Sequence, residues 1–443
     1  MDTPLYDFLM RYASAGGLRA HMPGHKGKAP VKELERLYSL DITEIKGADS
    51  LFEAEGIIAE SERNTAKLYG SEAAAFSAGG STLCIQAMLA IMKTEGRRVI
   101  AARNVHRAFL NAAALLGLDV TWIMPQYSGG ILSGELALSD VERELSASRE
   151  PACLYVTSPD YTGKTADIAA LAELCHRYGA KLLVDNAHGA HLAFFEKNLH
   201  PIALGADLCC DSAHKMLPAL TGAAVLHTSC REYAPLLKQA MSFFGSTSPS
   251  YLIMASLDLC NRYIADSIRD DIAAALPQII TLQESFGGRL IFAEGEPFHI
   301  TVKAAESGYI GTELAELLRG EGVECEYADS ELVVLLMSPC SSDLDFVRLR
   351  AALSSAVAGA SWKDCARPVI KPKLPQMALA IREAAFAPSE EIPVEEAEGR
   401  ICASVKVPCP PAIPIAASGE IIDRSCIELF MAYGIKTVLV VKK

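Results

Sequence analysis

Between residues 97 and 227 the chain alternates short apolar runs with amphipathic stretches. The runs are RRVIAA (97–102), VTWIM (120–124), ACLYVT (152–157), KLLVDN (181–186), ADLCCD (206–211) and AAVLH (223–227). Runs this short and this apolar predict strands buried on both faces, as in a parallel sheet covered by helices. Ahead of KLLVDN lies DIAALAELCHRYG, where Ile168, Leu171, Leu174, Cys175 and Tyr178 recur at helical spacing and Gly179 stands as a C-cap. That order predicts a strand–helix–strand unit of an α/β domain. Residues 73–92 (AAAFSAGGSTLCIQAMLAIM) are uncharged and long enough to span a bilayer. Gly79, Gly80, Ser81, Thr82 and Gln86 interrupt them, so a buried loop and helix is expected rather than a membrane partner. Beyond residue 290, FHITVKA, the helical GTELAELLRGEG, VECEYADSELVVLLMS and the helical DLDFVRLRAALSSAV predict a smaller α+β region. The proline-rich ARPVIKPKLP (366–375) and VPCPPAIP (407–414) predict extended connections, because proline cannot continue a helix.

Composition narrows the class. With 443 residues, 50% of them hydrophobic and 21% charged, the chain can bury a sizeable core, which excludes a disordered or collagen-like protein. A net charge of −13, from 41 Lys+Arg against 54 Asp+Glu, disfavours a nucleic-acid partner, which needs a basic footprint. Thirteen cysteines are scattered without a C-x-x-C pair or metal-like spacing, so no metal is expected. They read as buried hydrophobes in a reducing, cytoplasmic compartment. The opening MDTPLYDFLMRYASAGG lacks the basic start and apolar core of an export signal.

In open α/β sheets ligands bind outside the carboxyl ends of the strands. Four polar sites follow apolar runs: Asp185, with Ala187 and His188 beyond it; SAHK (212–215); AGGST (78–82), ahead of a helix; and RNVH (103–106). Each alone has an ordinary reading: a solvated lysine, a capping aspartate, a structural turn, a core histidine. Pyridoxal phosphate gives all four a joint task. Lys215 would take its aldehyde, Asp185 would hold its pyridine nitrogen protonated, Gly80, Ser81 and Ser212 would bind its phosphate, and His106 would stack on its ring.

The chain resembles the short form of the Orn/Lys/Arg decarboxylase family, in the fold type I class of pyridoxal phosphate enzymes. The resemblance rests on HMPGHKG (21–27), DITEIKGADSL (41–51), ARNVHRAFLNAAALLG (102–117), SPDYTGKTADI (158–168), VDNAHGAH (184–191), SAHK and STSPSYLIMASLD (246–258). EGRICA and VPCPPAIP match the family's closing segment. The resemblance implies a large, mainly parallel α/β domain over 56–275, an N-terminal segment over 1–55 contributing to active site and dimer, and a small C-terminal α+β region over 276–443. It adds Ala187 on the opposite face of the cofactor ring, His188 among the cofactor-binding residues, His214 beside the lysine, and Ser246 or Thr247 reaching the phosphate of a neighbouring subunit. It therefore implies a homodimer or higher homo-oligomer, without the extra N-terminal domain of the long forms. The implied reaction is α-decarboxylation of lysine, arginine or ornithine to cadaverine, agmatine or putrescine, a step of polyamine biosynthesis. Asp41, Glu44 and Asp49 are candidates for the substrate's distal cation. Departures from the long forms occur at Ala78, Gly80, Cys210, Gly222 and Gly245. Two rival readings stand beside this one: an aminotransferase using Arg348, Arg350 or Arg367 as a carboxylate clamp, and a cofactor-binding protein without turnover.

Overall fold

The structure, a computed structural model, describes residues 1–29, 32–127, 131–361, 372–404 and 412–443. The chain divides into two units: residues 1–97 with 168–270, and residues 98–167 with 271–443.

In the first unit four strands lie side by side in the order Ala73–Ser77, Ala224–Thr228, Leu208–Asp211, Lys181–Asp185. Nearly every residue in them is buried, as strands covered on both faces require. Lys181–Asp185 and Leu208–Asp211 are parallel, as the apolar runs predict. Ala224–Thr228 instead runs antiparallel to both its neighbours. The connection before it holds only the four-residue helix Ala213–Met216, too little to cross a sheet face and return in parallel. Ala73–Ser77 is a strand where the sequence predicts a loop, since alanine is a weak strand former and its partner lies far along the chain. The side chain of Glu62 accepts the Phe76 amide of this strand at 2.9 Å. Burial pushes Glu62 up to about 7, against the pull of Lys238 at 2.6 Å. The helix Ile168–Arg177 buries Ile168, Leu171, Leu174 and Cys175 as expected. Tyr178 lies past its end and is exposed.

In the second unit Arg98–Ala102 pairs in parallel with both Ala152–Thr157 and Val120–Ile123. Phe109 of the helix Arg107–Leu116 packs against Trp122 and Tyr155 from two of these strands. Burial of such a ring contributes about 1.5–3 kcal/mol. The expected α+β region is present: an antiparallel sheet of His299–Lys303, Leu332–Leu336 and Tyr327–Ala328, with helices Gly311–Gly320 and Asp343–Gly359. The sequence reading misses a further antiparallel sheet of Ser389–Pro393, Thr437–Val441 and Cys402–Ser404. With the helix Arg424–Ala432 it encloses a core that includes Val394, Ile422, Leu429, Phe430 and Val440. Parts of both proline-rich stretches, and Arg367, lie outside the described residues.

Candidate active site

The site assembles in the first unit, at the carboxyl ends of its two parallel strands. Asp185 closes one strand and is almost completely buried. Its Oδ1 accepts from the Ala187 amide at 3.2 Å and from the Cys210 thiol at 3.6 Å. Burial first, and then the charge of Asp185, pushes the Cys210 thiol well up, so sulfur there stays protonated and able to donate. Leu208–Asp211 leads directly into Ser212 and the short helix carrying Lys215. Lys215 Nζ lies 2.8 Å from His188 Nε2. A lysine followed by solvent is thereby ruled out: its amine meets a buried imidazole from the turn that follows Asp185.

The glycine–serine turn also joins this end. Ser212 Oγ donates to Ser81 Oγ at 2.8 Å, where the fifteen-residue helix Gly80–Thr94 begins. Two hydroxyls at a helix N-terminus whose cap residue, Gly79, makes no side-chain cap bond form a cradle suited to a phosphate. Gly80 has φ +69, a backbone region that a side chain would strain. Its own N–H donates to the Gly222 carbonyl at 2.8 Å, so the cradle rests on the serines and not on the Gly80 amide.

The other expected residues are placed as follows. His214 Nδ1 is 3.0 Å from the Ala223 carbonyl. Ser246 and Thr247 are exposed in the turn before the helix Tyr251–Asp266, and Ser246 Oγ accepts from the Ser248 amide. His106 belongs to the second unit, where it caps the helix Arg107–Leu116 by accepting the Ala108 amide at 3.1 Å. Of the distal-cation candidates, Asp49 is consumed locally: it accepts from the amides of Ser50, Glu55, Gly56 and Ile58. Burial works to raise Asp49, and those amides outweigh it and hold its carboxyl below the usual range. Asp41 pairs with His25 at 3.1 Å, and Glu44 is exposed. Arg348 is exposed on the helix Asp343–Gly359.

Sequence reasoning overlooks a buried group beside the site. Asn186 Nδ2 donates to Asp211 Oδ1 at 2.7 Å, and His200 and His227 both approach the same carboxylate. The available signal was that Asp211 ends an apolar run just as Asp185 does. Asn186 itself leaves no room for a side chain at Gly189, where a Cβ would collide with its Oδ1.

These residues fit pyridoxal phosphate: an amine held by an imidazole, a buried acid one strand away, and paired hydroxyls at a helix N-terminus. Comparison with known proteins agrees. Residues 3–304 match the Orn/Lys/Arg decarboxylase major domain, and residues 362–434 match the C-terminal domain of that family. The arginine decarboxylase of Bacillus subtilis is 29% identical over 456 residues, covering 96% of this chain and 92% of that one. That of Halalkalibacterium halodurans is 28% identical over 453 residues, with coverage of 96% and 92%. Lysine decarboxylase A from Pseudomonas aeruginosa superposes with a TM-score of 0.82 at 17% identity, covering 99% of this chain and 80% of that one. That likeness gives the fold, which is the fold type I architecture. With two family domains matched in sequence order, the chain belongs to the Orn/Lys/Arg decarboxylase family.

Proposed function

We propose that the chain is a pyridoxal phosphate-dependent decarboxylase of basic amino acids, with arginine the first substrate to test. The observation that carries the reading is the contact of Lys215 Nζ with His188 Nε2, at the same strand ends as buried Asp185 and the Ser81–Ser212 pair. Arginine comes first because relatives that align over nearly their whole length carry the name arginine decarboxylase.

When bound, the cofactor supplies an electron sink for the pair left on the α-carbon as CO₂ departs. Lys215 is the attachment point for its aldehyde. His188, 2.8 Å from Nζ, can take a proton from the ammonium and leave the amine nucleophilic. Asp185, a buried carboxyl at the end of its strand, would favour a positive charge on a ring nitrogen beside it. Ser81 and Ser212 hold the phosphate, together with the N-terminus of Gly80–Thr94. His106, carried over from the family's R-N-x-H stretch, would stack on the ring when the cofactor is bound, and Ala187 would meet its other face. The C–C bond breaks with its electrons kept on the α-carbon, which takes a proton, so the products are CO₂ and the amine; Lys215 or His188, in its protonated form, would be the acid that delivers it.

A homodimer in which exposed Ser246 or Thr247 reaches the neighbouring subunit's phosphate completes this reading. A reducing, cytoplasmic location suits the free cysteines, eight of which are buried among the described residues. Among those residues no helix is long and apolar enough to cross a membrane. The test is a product-resolved assay with arginine, lysine and ornithine, with and without a keto-acid acceptor. CO₂ and agmatine without acceptor are the expected result; amine transfer that requires the acceptor would establish the aminotransferase alternative instead.

A further inference from the structure

Behind the cofactor residues lies a carboxylate that the reaction above does not use. Asp211 is buried at the end of its strand and forms no bond with lysine or arginine among the described residues. Asn186 Nδ2 donates to its Oδ1 at 2.7 Å, and His200 Nε2 lies 3.1 Å from its Oδ2. His227 Nε2 is 3.3 Å from Oδ2, and the Cys209 thiol donates to Oδ1 at 3.8 Å. Burial would push Asp211 up, but His200 and His227 outweigh it and hold the carboxyl well below its ordinary range. Tyr69 covers both imidazoles, with ring centroids 5.0 and 4.6 Å away.

His200, Cys209 and Asp211 are close enough together to suggest a metal site. Hydrogen bonding argues against that reading. His200 Nδ1 accepts the Ile202 amide at 3.3 Å, so in the neutral ring the proton sits on Nε2, the atom facing Asp211. A metal ligand would need a lone pair there. Burial, with Asp211 adding to it, also pushes the Cys209 thiol well up, away from the thiolate a metal prefers.

The placement of this anion is informative. Asn186, which it grips, follows Asp185 directly, and its amide donates to the Cys210 carbonyl at 2.9 Å. Ser212, which follows Asp211, donates to Ser81. Asp211 is thus one residue from the phosphate cradle and one side chain from the pyridine acid. We propose that Asp211 is a positioning residue: its buried carboxylate, met by His200 and His227, clamps Asn186 and thereby sets Asp185 and Ser212 in the geometry that receives pyridoxal phosphate.

This proposal rests on the cofactor reading above, and one titration separates the two. Apo-protein of the parent, Asp211→Asn, Asn186→Ala and the double variant is titrated with pyridoxal phosphate, followed by visible absorbance and visible circular dichroism, with Tm measured on each apo form. An amide at 211 keeps one acceptor oxygen and turns its NH2 towards the donor of either Asn186 or His200, so Asp211→Asn should bind about tenfold more weakly, the fold-change of one lost charged hydrogen bond. Asn186→Ala should match it, and the double variant should be no weaker than either, with an altered visible dichroism band well below Tm. A purely structural role lowers Tm while leaving that band unchanged, and this result overturns the proposal. So does a folded Asp211→Asn with affinity within about twofold of the parent, or full addition of the two single effects. Should Asp211→Asn not fold, Asn186→Ala decides by the same criteria. Stoichiometric metal in the purified parent, lost in His200→Ala, also overturns it. A parent that develops no visible band overturns the cofactor reading itself and this proposal with it.

Discussion

Two aspartates bracket one strand of the first unit, Asp207 just before Leu208–Asp211 and Asp211 at its end, and they are neutralised differently. Asp207 is met by a cation and by groups partly open to solvent. Lys181 Nζ and His176 Nε2 lie 3.0 Å away, the Leu182 amide donates at 2.8 Å and the Cys230 thiol at 3.1 Å. Asp211 is met by an amide, two buried imidazoles and a buried thiol, with no lysine or arginine among the described residues. At the amino end of the strand the acid fastens neighbouring strands together. At the carboxyl end, where α/β sheets place their ligands, the same residue type sits beside the residues proposed to hold the cofactor. A lysine ammonium suits a stabilising contact; an amide, imidazoles and a thiol grip the carboxylate from groups that also face the site.

The contrast can be tested most severely at the lysine. Lys215→Ala should lower CO₂ release from the preferred substrate by at least about 10³-fold and abolish the visible cofactor band, while the apo form keeps its Tm. Asp185→Asn should cost about 10²–10³-fold in kcat with the protein still folded, measured by single-turnover CO₂ release. Asp207→Asn should reverse that pattern, with cofactor affinity unchanged and unfolding free energy in urea reduced by about 1.5–3 kcal/mol near pH 7. The pH dependence carries the sign. Burial works to raise Asp207, but the Leu182 amide, His176, Cys230 and Lys181 outweigh it, so its folded carboxyl titrates below the unfolded one. Its contribution is present above the unfolded value and is lost as pH falls through the lower folded one, so the gap between parent and Asp207→Asn should narrow as pH falls below the ordinary carboxylate range. The smallest effect is expected for Cys230→Ser, within about 0.5 kcal/mol by the same denaturation, because a hydroxyl can replace the thiol as donor to Asp207.

The strands and the site residues differ in how far the sequence displays them. KLLVD, ADLCCD and ACLYVT announce buried strands because a doubly covered strand must be apolar along its whole length. Lys215, Asp185 and Ser81 are legible because chemistry demands a residue type just after such a run. The antiparallel course of Ala224–Thr228 is not legible, since both directions bury the same side chains. The sheet of Ser389–Pro393, Cys402–Ser404 and Thr437–Val441 escapes because its strands are short, separated by long stretches of chain and flanked by prolines. Asp49 misleads in the opposite direction: an acid in a family-like segment suggests a substrate contact, while its oxygens accept from five amides, that of Ser50 and those of Glu55, Gly56, Ile58 and Ala59 around the start of the helix Ile57–Tyr69. His200 and His227 lie far from Asp211 or behind an ordinary strand pattern, and only the folded chain shows that they converge on one carboxylate.

Gly189 carries a consequence for how such a site can change over generations. A Cβ there would strike Asn186, and Asn186 is held in place by Asp211. The three positions therefore form one inherited unit. A chain that exchanges Asn186 for a smaller residue loses its hold on 211 and removes one of two clashes at 189, the other being with Leu192 Cδ1 at 2.8 Å, whereas one that keeps Asn186 in this place must keep glycine. Across relatives, residues 186, 189 and 211 are expected to vary together, and a set of aligned family sequences in which they vary independently would contradict this linkage.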